Sequence, residues 1–161
     1  MDSLWVSTAA LSLMAICKTL SSHFDTFASK TKNVDVEIQA LDVEIGSLTH
    51  VLRSLHTSFK GRSPMVELGS QADHEAQYWR NVKLSMKDCE GTLHRMEEIL
   101  ESVEETKRGS FIHQTVKAIK LTASDGEIES LKRELTAYRQ TFNFSLQIGT
   151  MWEPESKTPN A

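Results

Sequence analysis

The chain has 161 residues, 39% hydrophobic and 25% charged, which gives room for one well-filled core and excludes a mostly disordered chain. With 7 Gly and 3 Pro it is too poor in chain breakers for collagen or a turn-dense all-β fold, and two cysteines cannot build a disulfide framework. A net charge of −4 supplies no general attraction for nucleic acid.

The first predicted helix carries Val6, Ala9, Leu13, Ile16, Leu20, Phe24 and Phe27 at alternating spacings of three and four, with Leu4, Trp5, Leu11, Met14 and Ala15 widening the apolar stripe. A helix apolar on most of its faces is expected to be the buried one of a bundle. No charge occurs from Ser3 to Cys17, a run that spans about 22 Å as a helix against about 30 Å of hydrocarbon. On that length a single-pass anchor is excluded. The acid Asp2 stands where a secretory leader would carry cations, and neither end bears a lipidation motif. A cytoplasmic protein is expected.

After a short polar joint at Lys30 to Asn33, Val34, Ile38, Leu41, Ile45, Leu48, Leu52, Leu55 and Phe59 form a second stripe without a slip. Lys60 to Gln71, with Gly61, Pro64 and Gly69, reads as the longest loop. Trp79, Val82, Met86, Cys89, Leu93, Met96, Leu100 and Val103 make the third stripe, which ends before Arg108-Gly109-Ser110. Phe111, Ile112, Val116 and Ile119 predict a short extra helix. Ser124-Asp125-Gly126-Glu127 then reads as a capping box for a last helix through Ile128, Leu131, Leu135, Tyr138, Phe142 and Leu146. The expected fold is all-α: an elongated up-and-down four-helix bundle with one short extra helix between the third and fourth long helices. It forms a single domain over residues 1–150 with a flexible tail at 151–161.

Chemistry is hard to find in this pattern. The six histidines fall in no ligand arrangement, no cysteine pair has zinc spacing, and the seven glycines never cluster as a phosphate loop. His94, with Glu97 and Glu98 three and four residues on, reads as a solvated helical pair. Cys17 and Cys89 lie on apolar stripes, where a thiol behaves as a small hydrophobe. No catalytic, cofactor-binding or metal residue is predicted, and the chain is not expected to be an enzyme. Glu97, Glu98, Glu101, Glu104 and Glu105 precede a basic set, Lys107, Arg108, Lys117 and Lys120. The two runs either attract each other across the turn as solvated faces, or the cations touch anionic lipid or an acidic partner.

The opening Met1-Asp2-Ser3-Leu4-Trp5-Val6-Ser7 resembles the start of the fungal N-terminal domain of STAND proteins, a HeLo-like family of signal-transducing NTPases that includes an azaphilone pigment cluster protein. The block Lys87-Asp88-Cys89-Glu90-Gly91 through Ile99-Leu100 is similar to its cysteine-containing third helix. Glu127 to Leu135 with Phe144 to Ile148 is similar to its last helix. The likeness covers about residues 1 to 150 and departs at Ser3, where the family usually has proline, and at Leu121 to Ser124, where many members have Trp-Pro-Phe. It implies a non-enzymatic signalling module acting through helix-mediated self- or partner association, in fungal programmed cell death among other settings. A nucleotide-binding receptor is then expected as a separate partner. The alternative it implies is a membrane-active effector whose N-terminal helix is released and inserts. In either case Leu4, Trp5, Val6, Leu11, Leu13, Met14 and Ile16 are the candidate membrane or partner residues.

Overall fold

The computed structural model describes residues 3–30, 36–61, 71–106 and 126–151. They form four long helices, α1 (Ser3–Lys30), α2 (Val36–Phe59), α3 (Gln71–Thr106) and α4 (Glu127–Met151), with no strand among the described residues. The basic set Lys107, Arg108, Lys117 and Lys120, the short helix expected around Phe111 to Ile119, Val34, Ser124 and the tail from Trp152 all lie outside the described residues. The side chains of Phe27 and Val103 lie outside them too.

The stripes become the core. Every residue of the second stripe from Ile38 to Phe59 and of the third from Trp79 to Leu100 is buried. In α1 the stripe buries Val6, Leu13, Leu20 and Phe24, joined by Ala10 and Cys17, and in α4 it buries Ile128, Leu131, Leu135 and Phe142. Ala9, Ile16, Tyr138 and Leu146 pack at the margin of this single cluster. A three–four alternation keeps one helix face inward for many turns, so each helix buries a continuous seam.

Two contacts at different heights fix the direction of each packed pair. Ser7 meets His56 and Cys17 meets Thr49, so α1 and α2 run antiparallel. Tyr78 meets Ser145, and Arg95 meets Glu127, so α3 and α4 are antiparallel as well. Glu44 with Arg139 and Phe59 with Gly149 set α2 and α4 parallel. The principal packing partners of both α1 and α4 are α2 and α3. One end of this helical bundle thus gathers the start of α1, the close of α2, the start of α3 and the close of α4. We call it the amino-terminal end of α1, and the opposite end its carboxy-terminal end.

Two glycines take the left-handed backbone that side chains disfavour. Gly61 (φ 80°) follows the last turn of α2, where the Lys60 amide still bonds the His56 carbonyl at 2.9 Å. Gly126 (φ 85°) precedes α4, and its carbonyl accepts the Ser130 amide at 2.9 Å. The capping box centred on Ser124 would start the helix at Asp125, but a residue at φ 85° cannot lie inside a right-handed helix. Helix α4 therefore begins at Glu127, and Gly126 occupies the cap position.

Candidate interaction surface

The predicted residues on α1 divide between its two faces. Val6 and Leu13 are core residues, each 2% exposed, and Trp5, Met14 and Ile16 pack partly buried against the core. Leu4 and Leu11 point outward, 60% and 47% exposed. The expectation of a helix buried all round is thus corrected. With principal neighbours at α2 and α3, α1 keeps an outward face, and two of its widening leucines lie there. Leu4, Thr8, Leu11 and Ala15 follow one another at helical spacing along that face, Ser12 lies beside them, and the first charge met is Lys18.

Exposed cations stand on both helices that pack against α1. On α2, Arg53 and Lys60 are exposed; on α3, Arg80, Lys83 and Lys87 are exposed. Lys83 reaches the strip itself, its Nζ 5.4 Å from the Trp5 ring centroid, a cation–π contact that also covers the indole. Small side chains let α1 lie close to α2. Ala10 is fully buried, and Ser7, 3% exposed, places its Oγ 2.7 Å from His56 Nδ1. The same ring nitrogen lies 3.3 Å from the Ser7 carbonyl.

The length argument against membrane crossing also changes. The apolar stretch extends beyond Cys17, and Leu4 to Thr26, 23 residues, is long and apolar enough to cross a membrane by length and composition. At 1.5 Å per residue it spans about 34 Å. Lys18 and Asp25 do not end the stretch, because two charges within a long apolar helix leave its average polarity low.

Elsewhere the polar groups serve the helix interfaces. The Tyr78 hydroxyl donates to Ser145 Oγ at 2.8 Å, and that hydroxyl donates in turn to the Thr141 carbonyl at 2.8 Å. Thr92 Oγ1 donates to Glu134 at 2.7 Å and lies 3.3 Å from the Tyr138 hydroxyl. Burial pushes the Tyr78 and Tyr138 hydroxyls above the usual phenol range, although their hydrogen bonds work against that shift. Arg139 Nε donates to Glu44 at 2.6 Å between α4 and α2. Burial pushes the Cys17 thiol up to about 11 and the Cys89 thiol further still, so neither is a thiolate nucleophile at neutral pH.

His94 pairs with Glu97 at 2.9 Å, the solvated helical pair expected, and lies 3.8 Å from Glu90 on the exposed side of α3. Among the described residues no group of three or more His, Cys, Asp or Glu is placed to hold a metal ion. The ties Ser7–His56, Thr92–Glu134 and Glu44–Arg139 were invisible to sequence reasoning, since each joins residues 42 to 95 positions apart. A Ser, Thr or Arg on a helix face carries no sign of which neighbour it will meet.

No family model matches the chain, and no curated protein or solved structure matches it either.

Proposed function

We propose that this protein is a non-enzymatic helical-bundle signalling module that associates with its own copies or a partner through the outward face of α1, the bundle staying intact. Its finer architecture is taken to be the elongated up-and-down four-helix bundle with a short extra helix between α3 and α4. The observation that carries the reading is the outward strip of α1, charge-free from Leu4 to Ala15 and holding two exposed leucines, with exposed cations on both neighbouring helices. Exposed apolar groups that run along one helix face and are rimmed by charge are the usual makings of a protein contact. The resemblance to fungal STAND N-terminal domains points the same way, toward a cytoplasmic module that works with a nucleotide-binding receptor.

Sedimentation equilibrium of the wild type and a Leu4→Glu/Leu11→Glu variant tests the reading. Both sites are exposed, so the variant keeps its helical spectrum and unfolding midpoint. We expect it to stay monomeric at concentrations where the wild type associates. A wild type monomeric throughout, or a variant that associates equally well, would overturn the reading.

A second reading rests on the 23-residue apolar stretch Leu4–Thr26: a membrane-active effector in which α1 leaves the bundle, joins the bilayer and stays near the membrane after activation. It requires Val6, Ala10, Leu13, Cys17, Leu20 and Phe24 to leave a filled core. Its signature is vesicle leakage by the wild type. Substitutions at Leu13 or Ile16 suit that assay poorly, because Leu13 is core and Ile16 packs against it.

A further inference from the structure

Along the bundle axis the described charges are unevenly shared: cations outnumber acids toward the amino-terminal end of α1, where Glu75 accepts from Trp79 Nε1, and acids outnumber cations toward the opposite end, with Asp88 beside Lys87 near the middle of α3. Near the amino-terminal end of α1 stand Arg53, Lys60, Arg80, Lys83 and Lys87, and α1 contributes no charge there before Lys18. The closing turns of α4, from Gln140 to Met151, also reach this end and carry none. Near the opposite end stand Glu97, Glu98, Glu101, Glu127 and Glu129, with Asp25 and Asp42 on the facing helices. Arg95, Lys132 and Arg133 answer part of this acid through Glu98, Glu127 and Glu129. Helix geometry alone does not ask for this imbalance. Arg80, Lys83 and Lys87 lie well inside α3, beyond the first turn where its dipole acts, so the dipole does not account for them.

We infer that the partner of the cationic end is the acidic end of a second copy of this chain, so that the bundles associate head to tail. This rests on the association proposed above and names its partner and direction. Charge complementarity carries the choice. An anionic lipid surface would engage the cationic end and leave the acidic end unaccounted for, whereas a second copy uses both. Exposed Leu4 and Leu11 supply apolar contact within the cationic half, and the opposite charges set direction and speed the encounter. Such a contact joins two different patches, so it repeats from copy to copy and leaves a complementary end open after each addition.

The test uses the full chain in sedimentation velocity at about 50 mM and about 500 mM salt, conditions that shorten the screening length several-fold. The wild type is expected to form species larger than a dimer at low salt and to return to monomer at high salt. Two variants on exposed sites follow: Arg80→Glu/Lys83→Glu reverses the cationic end and Glu98→Lys/Glu101→Lys reverses the acidic end. Each alone is expected to be monomeric at low salt, and an equimolar mixture is expected to regain association. Charge variants that associate as the wild type does, or a mixture that stays monomeric, overturn the head-to-tail contact. If Leu4→Glu/Leu11→Glu still abolishes association in that case, the outward-face reading survives it. A wild type monomeric at both salts sinks the two together. Each protein is also floated with phosphatidylserine vesicles at low salt. Binding by the wild type and by Glu98→Lys/Glu101→Lys but not by Arg80→Glu/Lys83→Glu, with no self-association, would assign the cationic end to lipid and overturn the inference.

Discussion

Helices α1 and α4 bury the same kind of seam but are fastened to their neighbours in different ways. On α4, Ser145, Glu134, Tyr138, Arg139 and Glu127 each make a polar contact to α2 or α3. On α1, Ser7 meets His56 and Cys17 meets Thr49, and the ionic relation to α2 is repulsive, since Asp25 raises the pKa of Asp42. The two helices show that apolar packing alone can seat a helix, while directional polar pairs fix its height against its neighbours. They also show where surface is left over. A helix that carries no charged residue for four turns keeps an outward strip suited to contact.

The comparison is broken most severely in the core, where the two helices should behave alike. Leu20→Ala in α1 and Leu135→Ala in α4 each empty a fully buried site, and each is expected to cost about 2–5 kcal/mol in urea unfolding. A loss confined to Leu135→Ala would mean that α1 contributes little to the fold. Next in size is the contact of α4 with α2 at Gly149. A methyl group on Gly149 would lie 2.6 Å from Phe59 Cζ, and that ring is itself buried against Trp79, with ring centroids 5.2 Å apart. Gly149→Ala should therefore destabilise by about 1–3 kcal/mol, the usual cost of overfilling a packed site, where an open helical glycine would gain from the same change.

The smallest effect sharpens the electrostatic side. Burial, with a contribution from Asp25, holds the Asp42 carboxyl above its ordinary range. A raised folded-state pKa means that the folded protein binds this proton more tightly than the unfolded chain. Asp42 therefore costs stability once both states are ionised, and the cost fades as pH falls through the carboxylate range. Asp42→Asn is expected to raise the unfolding midpoint slightly at pH 7 and to leave it unchanged near pH 3. A loss of stability at pH 7 would show that the Asp42 carboxylate is a favourable contact after all.

Much of the fold could be read from the residues, because burial follows a local rule. Spacings of three and four placed Leu48, Leu93 and Leu135 inward, and each is fully buried. Which helices pack together could not be read, since a seam marks the inner side of a helix without naming its neighbour. The pairing of α2 with α4 through Glu44 and Arg139 is a case in point. The candidate surface was half legible. Leu4, Trp5, Val6, Leu11, Leu13, Met14 and Ile16 were recognisable as one apolar group, but a stripe that wide does not say which members face out. That depends on how much of the circumference α2 and α3 cover. The axial imbalance of charge was illegible for a similar reason, because Arg53 and Lys83 share an end only once α2 and α3 have taken their directions.

Native-state hydrogen exchange tests the central claim most directly, namely that α1 is a structural helix that acts from its outer face without leaving the bundle. If so, amides from Val6 to Phe24 are protected to the same free energy as those of Leu131 to Phe142 and lose protection together with them as urea is raised. Exchange of α1 through a lower-energy opening, with α2, α3 and α4 still protected, would contradict the account and favour release of the helix.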